Sequence, residues 1–110
     1  MIVHVEVGRR HCEVRDADDL KRLSVEVVGE ADDEEIDRTA APLVRLQSPE
    51  HAWVSVRELR TACAREGDPA WVREFDAMVA FAASKGWIDD TGTQLRAHVV
   101  RTPGSEPQKS

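Results

Sequence analysis

The sequence predicts an α+β domain. Three observations predict it. Valine, leucine and alanine alternate with polar residues near both ends of the chain, at Val3, Val5 and Val7 and again at Leu95, Ala97 and Val99. Two helix-start signatures, Ser55-Val56-Arg57-Glu58 and Asp68-Pro69, stand in the second half. Gly86 is placed to close the second of those helices. A length of 110 residues makes one domain the default. Apolar residues at 41% and charged residues at 33% fit a soluble globular chain.

Residues 2–14 predict a β-hairpin. Gly8-Arg9 fits a two-residue type II′ turn. That register sets Val5 opposite Cys12 and Val3 opposite Val14 on the inner face. It sets Glu6 opposite His11 and His4 opposite Glu13 on the outer face. Slipping it by one residue would mix the faces. Asp16 can cap a short helix through Asp18, Asp19, Leu20 and Leu23. Val25-Glu26-Val27-Val28 reads as a third strand ended by Gly29, so residues 1–30 form a ββαβ unit.

Asp32-Asp33-Glu34-Glu35 is an acidic run. It suits a solvated loop or the first turn of a helix, where carboxylates favour the dipole; a site for a basic partner or a metal is the alternative. Pro42 cannot sit deep in a helix. Thr39 as N-cap puts Pro42 in the first turn of a helix that reaches residues 43–47. A second arrangement starts a helix near Ile36 and ends it at Pro42. Ser48-Pro49-Glu50 is a loop, and residues 52–54 a short strand.

Ser55 and Glu58 form a capping box, with Val54 and Leu59 at hydrophobic-staple spacing. The helix predicted there covers residues 56–65 and is broken by Gly67. Asp68 caps the next, residues 69–85, whose Trp71, Val72, Phe75, Met78, Val79 and Ala82 recur by threes and fours as a core stripe. Trp87 and Ile88 return the chain to a strand. Residues 89–92 turn, and a hairpin over 87–101 follows. Residues 102–110 read as a disordered tail by composition.

Helix, short strand, helix, helix and hairpin in this order resemble the winged helix-turn-helix fold over residues 39–101. The residues before 30 lie outside that resemblance, and no narrower family is indicated. The resemblance implies that helix 69–85 is the one that would enter a DNA major groove, with the hairpin touching backbone. Away from the core stripe this helix offers Arg73, Asp76, Ala77, Ala80 and Ser84. Only Arg73 is basic, and the wing turn carries Asp89 and Asp90. The net charge is −6, with 12 acids against 7 bases in residues 1–49, which repels phosphate at long range. A nucleic-acid reader would draw on Arg57, Arg60, Arg73 and Arg96, with Arg65 and Arg101 able to join them.

The leading expectation is therefore contact with a protein partner, or self-association, through Arg73, Ala77, Ala80 and Ser84. Ala77, Ala80 and Ala83 would form a smooth strip that admits close approach. DNA-binding regulation is the alternative. A small enzyme or enzyme subunit using the His4/His11 face is a third reading. No nucleophile–base constellation, glycine-rich phosphate loop or metal-ligand spacing is present, so no enzymatic activity, cofactor or metal is expected. Cys12 and Cys63 show no redox or metal spacing and read as buried thiols. There is no long apolar run and no basic, apolar leader at residue 1, so a cytosolic location is expected. Arginine outnumbers lysine 12 to 3, which points to a high-GC bacterial source.

Overall fold

The computed structural model describes residues 1–102. The tail expected over residues 102–110 lies outside them, except Thr102, which ends a strand.

Six strands form one mixed sheet in the order β2-β1-β3-β6-β5-β4. They are β1 (Ile2–Glu6), β2 (His11–Arg15), β3 (Ser24–Val28), β4 (Val44–Leu46), β5 (His51–Ser55) and β6 (Gln94–Thr102). The β1–β3 and β3–β6 pairs are parallel and the others antiparallel. Three helices complete the α+β fold: α1 (Asp33–Ala40), α2 (Val56–Cys63) and α3 (Pro69–Ser84). The last strand enters the middle of the sheet, between β3 and β5. The N-terminal strands and the second half of the chain thus share one sheet.

Period-two alternation sorts the two faces. Val3, Val5, Val25, Val27, Val54, Leu95 and Val99 are buried on one side. Ile36 and Ala40 of α1, Leu59 and Cys63 of α2, and Trp71, Phe75 and Ala82 of α3 join the same core cluster. Each fully buried Val, Leu or Phe in that set contributes about 1.5–3 kcal/mol. The helices therefore cover one face of the sheet and leave the other open.

The N-terminal hairpin has the predicted register: Val3 opposite Val14, His4 opposite Glu13, Val5 opposite Cys12, Glu6 opposite His11. Its turn differs. Residues 7–9 form a 3-10 turn closed by the Arg10 N–H to the Val7 carbonyl at 3.1 Å. Arg10, not Gly8, takes the left-handed conformation, with φ +52°.

The short helix expected after Asp16 is not formed; β2 and β3 are joined by turns, so the first unit is not ββαβ. Asp16 has φ +54°, whereas an N-cap needs extended backbone. Carbonyls a helix would use internally accept tertiary donors instead. Trp71 Nε1 donates to the Ala17 carbonyl at 2.9 Å. The Met1 amino group donates to the carbonyls of Asp19 and Arg22 at 2.8 and 2.9 Å.

The acidic run is the first turn of α1, with Asp32 as N-cap accepting the Glu35 N–H at 2.9 Å. The helix ends before the cis Ala41–Pro42 peptide. Thr39 is inside α1, donating to the Glu35 carbonyl, and is not a cap. The helix expected over residues 43–47 is strand β4 instead, because Val44, Arg45 and Leu46 find partners in Val54, Trp53 and Ala52 of β5.

Ser55 accepts the Glu58 N–H at 3.2 Å and starts α2 as predicted. The reverse arm of the capping box is displaced, since the Ser55 N–H donates to the Leu43 carbonyl at 2.8 Å. The helix ends at Ala64, φ +55°, ahead of the predicted stop. Asp68 caps α3 through the Ala70 and Trp71 amides, and Pro69 occupies its first position. The hairpin expected over 87–101 is reduced to one bridge, Ile88 with Leu95; beyond it β6 pairs with β5 and β3.

Candidate partner-binding face

Arg73, Ala77, Ala80 and Ser84 are all exposed, and their spacing places them on one side of α3. Ala83 is exposed as well. The alanine strip is a surface and not part of the core.

Two aromatics extend that surface, and both were missed as site residues from sequence. Phe81 is 56% exposed and Trp87 47% exposed. Their rings meet edge to face with centroids 6.0 Å apart. The end of α3 positions them. Gly86 has φ +77°, the Trp87 N–H donates to the Ala82 carbonyl at 2.9 Å, and the Gly86 N–H donates to the Ala83 carbonyl at 3.2 Å. This is a Schellman ending, which brings the residue after the glycine back against the last turn of the helix. Phe81 carried a signal in the sequence: it stands off the 71/75/78/82 stripe, so a helix that buries the stripe exposes Phe81.

The aromatic pair is flanked by cations. Lys85 Nζ lies 5.5 Å from the Phe81 ring centre. A cleft of about 390 Å³ is lined by Leu20, Lys21, Glu74, Ala77, Met78 and Phe81. A smaller one of about 100 Å³ runs between Phe81 and Trp87 toward Lys21, Arg22 and Arg96. Tryptophan and phenylalanine are enriched in the cores of protein interfaces, whereas alanine and serine are depleted there.

The arginines named for nucleic acid do not form one patch. Arg57 and Arg60 line a separate groove, Arg73 lies on the exposed face of α3, and Arg96 lines the small cleft beside Trp87. Arg60 pairs with Asp76 at 3.1 Å and stacks over Phe75. Arg65 makes a two-pronged bridge to Asp18 at 2.6 and 3.2 Å, and Arg101 reaches Asp33 at 3.3 Å. The acidic turn at Asp89 and Asp90 has a local cause. Asp89 Oδ1 accepts the Thr93 and Gln94 amides at 3.0 and 3.2 Å, building the turn. Desolvation raises the Asp89 carboxyl pKa, but hydrogen bonds from Thr91, Thr93, Gln94 and Gly92 outweigh it and hold the group below the usual carboxylate range.

His4 and His11 bond different carboxylates. His4 is buried, with Nδ1 2.6 Å from Glu26 Oε1 and Nε2 3.0 Å from Glu6 Oε1. His11 Nε2 lies 2.8 Å from Glu13 Oε1, and Arg15 Nε donates to Glu13 Oε2 at 2.6 Å. Hydrogen bonds from His11 and Arg15 pull the Glu13 carboxyl down to about 2. Among the described residues no group of three or more His, Cys, Asp or Glu side chains is placed to hold a metal ion. Cys63 is buried and Cys12 half-buried; burial pushes both thiols up, away from the thiolate form that nucleophilic chemistry needs. No helix among the described residues is long and apolar enough to cross a membrane.

No family model, curated protein or solved structure matches the chain.

Proposed function

We propose that the chain is a non-enzymatic interaction or regulatory module of a bacterial cytosolic protein that docks a protein partner on the exposed face of α3. In this reading residues 39–101 are a winged-helix-like unit turned to protein contact. The observation that carries it is the exposed Phe81–Trp87 pair, held at the end of the Ala77/Ala80/Ser84 surface. Exposed aromatic side chains offer a docking segment a large apolar contact area. The flanking Lys21, Arg22, Lys85 and Arg96, against a single lining carboxylate from Glu74, select a partner with an apolar centre and acidic margins.

Duplex DNA is the weaker alternative. Counterion release needs several free, clustered cations. Arg60, Arg65 and Arg101 are each bridged to a carboxylate. The test is the partner's affinity for wild type, Phe81→Ala and Trp87→Ala. Both substitutions should weaken the complex at least tenfold, as truncated aromatic hot spots do. Sedimentation of the protein alone separates a second copy from a different partner.

A further inference from the structure

We infer that the groove between α2, β4 and β5 is a binding site for a small anion that carries a planar ring, a nucleoside phosphate in chemical class. This site is separate from the α3 face. The groove is open to solvent and has a volume of about 980 Å³, enough for a small ligand. Trp53 lies in its wall, half-buried and therefore presenting part of its ring. Arg45 and Arg57 line the same groove, are exposed, and form no ion pair among the described residues.

The sheet register explains why these groups converge. Trp53 of β5 pairs with Arg45 of β4, which sets a tryptophan and an arginine side by side on the same face of the sheet. Arg57 is delivered from the first turn of α2. Arg60 lines the groove as well but is already engaged, its Nη2 donating to Asp76 at 3.1 Å. Two carboxylates share the wall. Asp37 accepts the Leu46 N–H at 2.8 Å, and Glu66 lines the same groove. Arg45 and Arg57, the two lining guanidiniums without an ion pair among the described residues, are the groups left to meet an anion. Guanidiniums take phosphate with two parallel donors, and an aromatic face takes a base by stacking.

Titration of the labelled protein with AMP, adenosine and inorganic phosphate, followed at the three tryptophan indole N–H signals, tests the site. Trp53→Phe assigns its signal. AMP should shift the Trp53 signal saturably with a Kd at or below about 1 mM, leaving Trp87 unmoved. Adenosine and phosphate should each bind more weakly than AMP. Arg45→Ala and Arg57→Ala should each weaken AMP roughly tenfold, the cost of one charged hydrogen-bond pair. Arg45→Lys and Arg57→Lys, which keep the charge but not the fork, should fall between. Absence of a saturable Trp53 shift, phosphate binding as tightly as AMP, or affinity untouched by all four arginine substitutions would each overturn the inference.

Discussion

Phe81 and Trp87 meet edge to face at 6.0 Å across the end of α3, and both stay largely in solvent. The contact closes a Schellman turn, in which an apolar residue beyond the glycine packs on the last helical turn. Such contacts usually sit at a core margin. Here the pair faces outward, continuous with Ala77, Ala80 and Ser84. The backbone turn that ends the helix also pre-orders the surface proposed to bind a partner, and so lowers the ordering cost of docking.

Gly86→Ala tests that coupling. Its φ of +77° is a left-handed conformation that costs a residue with a Cβ about 1–2 kcal/mol. Nothing within 4 Å would meet the added Cβ, so the effect should be conformational and not a clash. Chemical denaturation should show a lower midpoint with an unaltered slope. An unchanged midpoint would mean the turn tolerates a side chain.

Ala64→Gly should act in the opposite direction. Ala64 ends α2 at φ +55°, so glycine relieves left-handed strain while adding freedom to the unfolded chain. The balance is a gain of up to about 1 kcal/mol. A lower melting temperature for the variant would contradict this placement of the helix end.

Ser55→Ala should cost about 1 kcal/mol, because it removes the acceptor for the Glu58 N–H. Glu58→Ala, which removes any reverse arm, should cost clearly less, since the Ser55 N–H is already bound to Leu43. Comparing the two denaturant midpoints checks the half-formed capping box. Equal losses would mean the reverse arm is made after all.

Glu13 carries a pH signature. Its carboxyl is held at about 2 against an ordinary 4.5, first by the hydrogen bond from His11 and then by that from Arg15. A depressed carboxylate stabilises the fold above its unfolded pKa, and that stabilisation fades as pH falls from about 4.5 toward about 2. The stability difference between wild type and Glu13→Gln should shrink across that window. The group is exposed, so the difference should be small and reduced by salt. A difference that grows as pH falls would contradict the assignment.

Local chemistry made part of this fold legible. The hairpin register followed from the alternation of Val3 and Val5 with His4 and Glu6, because one face is buried and a slip would invert it. Asp68, Pro69 and Gly86 bounded α3 because caps act within one turn. What was not legible depends on distant partners. Residues 16–23 read as a helix, but Trp71 and the Met1 amino group take carbonyls there. Residues 43–47 also read as a helix until β5 supplied a strand to pair with. Entry of β6 between β3 and β5 is a long-range choice that periodicity does not encode. The site was half visible: Ala77, Ala80 and Ser84 followed from helical spacing, whereas the exposure of Phe81 and Trp87 depends on what packs over the helix end.

The most direct test of docking on α3 is titration of wild type and Ala80→Arg against both the partner that co-purifies from native lysate and a random duplex DNA pool. Ala80 is exposed, so the substitution should leave the fold intact. An arginine there obstructs close approach, and it adds a cation where a groove-reading helix would use one. The expected result is loss of partner binding in Ala80→Arg, with hydrogen-exchange protection of residues 77–87 in the wild-type complex. Partner binding indifferent to Ala80→Arg, or a consensus duplex held at nanomolar affinity by the wild type at about 0.15 M salt, would contradict it.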